Sequence, residues 1–65
     1  MEYSQNRRII VYDDKHIVLY ELENYRLFIQ ENRLVFLKGL ERDTNRQIEL
    51  KFLIDTYVLE EFEDS

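Results

Sequence analysis

Two runs of residues between positions 25 and 40 repeat with a period of two, and that period limits what the chain can fold into. In Tyr25-Arg26-Leu27-Phe28-Ile29-Gln30, Tyr25, Leu27 and Ile29 alternate with Arg26, Phe28 and Gln30. An extended backbone sends one of those sets to a buried face. Glu31-Asn32 interrupts the run. Asn accepts left-handed backbone angles, which suits a tight two-residue turn, although Arg33 stands where Gly usually follows Asn. The second run, residues 33–40, places Leu34, Phe36 and Leu40 on one face and Val35 and Leu37 on the other. A strand that is apolar on both faces calls for cover on both sides.

The same logic reads the rest as strands. Ile9, Ile10, Val11 and Tyr12 are β-branched or aromatic, which predicts a strand over residues 7–12 ended by a turn at Asp13-Asp14. A second strand is expected over residues 16–22, closed by a turn at Glu23-Asn24. The polar residues 41–46 read as the longest hairpin loop. Ile48, Leu50, Phe52 and Ile54 then alternate with Gln47, Glu49 and Lys51, the most regular pattern in the chain, spoiled only by Leu53. Residues 56–62 are predicted as a strand, after a bulge near Asp55, in preference to a short C-terminal helix. Residues 1–6 are polar, as fraying termini are. The expected fold is a single small all-β domain over residues 1–65: a five- or six-stranded antiparallel meander, either a curled sheet or a small barrel.

At 65 residues such a domain buries little of its surface, and staples are the usual remedy. The chain has no Cys and a single His, His16, so neither a disulfide nor a Cys/His zinc site can form. Association with a second copy is the remaining remedy, and a homodimer is expected. No apolar run approaches the length of a membrane span, and the first residues are too polar for a secretory signal. The expected location is the cytoplasm, with no membrane partner.

Charge is distributed unevenly. Residues 1–54 carry nine Lys/Arg and nine Asp/Glu, whereas residues 55–65 carry five acids and no base, so the whole net charge of −5 lies in the C-terminal segment. That segment interleaves carboxylates with aromatics. Tyr57, Glu60, Glu61, Phe62, Glu63 and Asp64 are therefore the candidate partner-binding residues, suited to a protein with a basic surface. Acidic residues at an edge also keep apolar sheets from growing edge to edge, so the same residues have a simpler use.

Catalytic chemistry finds little footing. His16 beside a turn has no fixed nucleophile to serve, since Ser4 and Ser65 lie at the termini. Asp13 and Asp14 with Glu21 or Glu23 could gather round a hard cation, but no calcium-loop pattern accompanies them. No catalytic residue, metal or cofactor is expected. The leading expectation is a non-enzymatic protein-binding module, by analogy with phage-type inhibitors that present carboxylates where a host enzyme expects phosphates. The alternatives are a structural homo-oligomer subunit or a small barrel that binds single-stranded nucleic acid through Arg7, Arg8, Arg26, Phe28 and Arg33. Excess acid weighs against the nucleic-acid reading.

Overall fold

A computed structural model describes residues 7–63. The expected fraying of residues 1–6 and the candidate Asp64 lie outside that range. Every regular element is a β-strand: β1 (Arg7–Tyr12), β2 (Val18–Ile29), β3 (Leu34–Glu41), β4 (Gln47–Leu53) and β5 (Val58–Glu63). They form one antiparallel sheet in the order β4-β3-β2-β1-β5, which is not closed into a barrel. The first four strands are a meander. β5 then crosses back to pair with β1 rather than with its sequence neighbour β4.

The alternation read from the sequence determines the two faces. Ile9 and Val11, Leu22, Tyr25, Val35, Leu37 and Phe52 form a buried cluster on the inner face. Ile9, Val11, Leu22 and Val35 are wholly sealed although the described residues form a single sheet with no second layer. The sheet achieves this by curling. Its two end strands both reach the same core, β4 through Ile48 and Leu50 and β5 through Leu59. The β4–β5 turn closes the open side, where Ile54 and Tyr57 pack on the core and Tyr57 meets Phe52 edge-on, with ring centroids 4.9 Å apart.

In β2 the sequence reading needs correcting. Glu23-Asn24 is not a turn, and β2 runs through it as a single twelve-residue strand. Asn24 does adopt a left-handed conformation, with φ 51°. It spends that conformation on a bulge between Glu23 and Arg26, where the pairing to β3 slips. Two consequences follow. Leu22 and Tyr25, three residues apart, both face the core, and the strand bends so that its first half pairs with β1 and its second with β3. Gly39, the only glycine, faces this bend. A Cβ there would lie 3.0 Å from the Tyr25 Cβ and 3.1 Å from the Leu22 Cβ, so the close approach needs a residue without a side chain.

The hairpin loops share a device. His16 (φ 66°), Arg33 (φ 65°) and Asn45 (φ 61°) each adopt left-handed angles close before the next strand. At residues 30–33, Arg33 N–H donates to the Gln30 carbonyl at 2.9 Å, so the turn contains Glu31-Asn32 as expected but is one residue longer. Asp13 organises the β1–β2 loop, its Oδ1 accepting from Lys15 N–H at 2.8 Å and Ile17 N–H at 2.9 Å. Residues 54–57 form a turn, with Thr56 N–H donating to the Leu53 carbonyl at 2.9 Å, rather than a bulge. No helix is present among the described residues, so residues 58–63 take the strand alternative.

Candidate functional site: an acidic edge and a divided outer face

Once β5 is a strand, its acidic residues can no longer act together as a tail. Alternation sends Glu61 to the inner face opposite Ile9, and Glu60 to the outer face opposite Ile10. Glu61 lies at the open end of the core, where Tyr25 donates its hydroxyl proton to Oε1. Arg7 Nη2 donates to the same Oε1 at 3.3 Å and to the Tyr25 hydroxyl at 3.2 Å. The three side chains stop the inner face with a polar plug. Burial, reinforced by the bond to Glu61, pushes the Tyr25 hydroxyl above its usual pKa, and the bond that Arg7 donates to Tyr25 raises Arg7.

Glu60 accepts the Tyr12 hydroxyl proton at 2.8 Å, a bond that raises the Tyr12 pKa. Phe62 lies half-buried under the Arg8 guanidinium, 4.9 Å from ring centroid to Cζ. Tyr57 is committed to Phe52. Of the candidate partner-binding residues described, then, the two aromatics serve the fold and the carboxylates Glu60, Glu61 and Glu63 remain exposed. They line an edge strand whose second side carries no partner strand among the described residues.

The five residues of the nucleic-acid alternative do not converge. Arg7 lies at the inner plug, while Arg8 lies outside, bonded to Glu21 at 2.8 Å. Arg33 sits in the β2–β3 turn and pairs with Asp55 at 2.8 Å. Arg26 and Phe28 share the outer face of β2. The missed neighbours of these two come from the opposite strands. Phe28 faces Phe36, which faces Lys51, and Arg26 faces Lys38, which faces Glu49. Lys51 Nζ lies 5.3 Å from the Phe36 ring centroid, and Lys38 Nζ lies 3.7 Å from Glu49. Arg26 and Lys38 are like charges in direct cross-strand register, an arrangement that costs stability. The period of two would have found each residue but not the register that joins them.

Toward β1 and β5 the outer face changes sign. Glu21 accepts from Arg8 and from Arg42 Nη1 at 2.7 Å, and these bonds, Arg42's first, hold its carboxyl below the usual range. Glu23 pairs with Arg42 at 3.5 Å. Of the carboxylates weighed for a cation, Glu21 and Glu23 are thus engaged by arginines and Asp13 by its own turn, and no group of three metal-ligating side chains forms among the described residues. No helix there is long and apolar enough to cross a membrane. Comparison of the chain with protein-family models, with curated proteins and with solved structures gave no match in any of the three.

Proposed function

We propose that this protein is a non-enzymatic protein-binding module that captures a basic, extended segment of another protein along β5. One observation carries this reading: the strand that holds the surplus carboxylates is also an open edge of the sheet. Edge strands recognise extended peptides by main-chain hydrogen bonds, with alternate side chains giving specificity. Glu60 and Glu63 are exposed on β5, Glu60 on the outer face and Glu63 on the inner, so a segment with Lys or Arg on both of its faces meets charge of opposite sign. Acid at this edge also disfavours pairing between two β5 strands of the same kind.

The test is a titration of the protein with an octalysine peptide, followed by backbone amide shifts. The expected result is a salt-sensitive change confined to β5 and the adjoining turn, weakened in Glu60→Gln/Glu63→Gln. Shifts elsewhere on the molecule, or an affinity the double variant does not alter, would discard the reading.

A further inference from the structure

The outer positions of β2 and β3 set two cations side by side. Arg26 and Lys38 face each other in direct cross-strand register, a like-charge pair that costs stability. Arg26 has no hydrogen bond or ion pair among the described residues. Lys38 makes an exposed contact with Glu49 at 3.7 Å, too long to neutralise the pair. An anion within reach of both cations would relieve their repulsion.

Two grooves flank this pair. One, of about 390 Å³, is lined by Asn24, Arg26, Lys38, Leu40 and Gln47 and holds no carboxylate. It lies beside the bulge, where the pairing of β2 with β3 slips between Glu23 and Arg26. The second, of about 280 Å³, is lined by Phe28, Phe36 and Glu49, with Lys38 forming a wall of both. Together they fall in the range of about 300–1,000 Å³ usual for small-ligand sites. Phe28 is 60% exposed, and no ring or cation packs on it among the described residues.

We infer that these grooves bind a small aromatic phosphate of the nucleoside monophosphate class. The phosphate lies between Arg26 and Lys38, where the side-chain amides of Asn24 and Gln47 supply further donors. The base lies against Phe28 and Phe36, since every base has a face that stacks on an aromatic ring. A strand sets Arg26 and Phe28 about 7 Å apart on one face, a separation that a nucleotide spans between its base and its phosphate. Glu49 borders the aromatic groove and not the cationic one, so it can accept from the exocyclic amine of a base without opposing the phosphate.

Charge favours a free nucleotide over a strand. Arg26, Lys38 and Lys51 stand against Glu49 alone, a local excess of two that matches one phosphate dianion. Further along β2, Glu21 and Glu23 are engaged by Arg8 and Arg42. The exposed carboxylates of β5 lie two strands beyond β2, about 10 Å at the usual strand spacing, past a Debye length of about 8 Å. A longer polyanion would run toward them and be opposed by the net charge of −5. This inference concerns the outer face of β2 to β4 and not the β5 edge, so either proposal can fail alone.

Titration of the full chain with adenosine 5′-monophosphate, followed by backbone amide shifts, tests it, with far-ultraviolet circular dichroism confirming the fold of each variant. Saturable shifts are expected around Arg26, Phe28 and Lys38, with a Kd below about 1 mM. Adenosine and inorganic phosphate each fill one groove and should bind at least about tenfold more weakly. Arg26→Gln and Lys38→Gln should each weaken the nucleotide at least about tenfold, while the thermal midpoint holds or rises because the like-charge pair is gone. Phe28→Ser should weaken the nucleotide and leave phosphate binding unchanged. No saturable shift up to about 10 mM, adenosine as tight as its monophosphate, unaltered binding in both cation variants, or shifts confined to β5 would overturn the inference. So would an octadeoxyadenylate that binds more than about tenfold tighter than the nucleotide, which would give the face to single-stranded nucleic acid.

Discussion

The two faces of this sheet use similar residues to opposite ends. On β3, Val35 and Leu37 are sealed in the core, while the interleaved Leu34, Phe36 and Leu40 stay half in water. The difference is curvature. Curling brings β4 and β5 over the inner side chains, whereas it spreads the outer ones apart and leaves Phe28 and Leu53 among the most exposed large apolar residues. In this chain, hydrophobic content alone does not say what holds the fold together; the side of the sheet does.

Truncation on the two faces should therefore give the largest contrast. Leu37→Ala removes a side chain enclosed on every side and is expected to cost about 2–5 kcal/mol, enough to unfold most domains of this size. Phe28→Ala deletes a bulkier group and should change monomer stability by no more than about 0.5 kcal/mol. Urea denaturation of both variants at a concentration where the wild type is monomeric makes the comparison. A Phe28→Ala cost near that of Leu37→Ala would mean that the outer face is part of the core after all.

The inner face has one polar component, and it yields a pH dependence. Tyr25 is nearly buried and its hydroxyl bonds Glu61 and Arg7, so its pKa is raised above the ordinary tyrosine value of about 10. A group with a raised folded-state pKa stabilises the fold fully below its unfolded pKa. That contribution is lost as pH rises through the folded value. Stability is thus expected to fall above about pH 10, with Tyr25→Phe costing about 1–2 kcal/mol near neutrality and flattening the alkaline slope. Tyrosinate absorbance followed alongside thermal melting checks both. An unchanged slope in Tyr25→Phe would remove the plug from the account.

Those two contrasts also mark what the sequence could reveal. β1 was legible because Ile9, Ile10, Val11 and Tyr12 are β-branched or aromatic, and the inner face of β4 because Ile48, Leu50 and Phe52 follow the strand period without interruption. The bulge at Asn24 was not. A left-handed Asn serves a turn and a bulge equally well, and what decides between them is whether Leu22 and Tyr25 must share a core, which depends on β3 and Gly39. The acidic segment was legible as charge but not as geometry. Its meeting with Arg7 and Tyr25 spans 54 and 36 positions of sequence and exists only because β5 returns to β1.

The smallest effect concerns the loops that decide which side chains reach which face. A register slip of one residue in the β1–β2 hairpin would turn Ile9 and Val11 outward, and left-handed residues fix that register. His16 pays for φ 66° with steric strain that Gly would not have. Its ring contact with Tyr12, centroids 5.8 Å apart, is exposed and offsets little of this. His16→Gly is therefore expected to stabilise the fold by about 0.5–1 kcal/mol. Arg33→Gly relieves the same strain but loses the exposed pair with Asp55, so it should gain less. Asn45→Gly should be nearly neutral, because Asn already tolerates the conformation. Urea midpoints for the three variants should fall in that order. A destabilised His16→Gly would show that the imidazole does more for the hairpin than its backbone conformation costs.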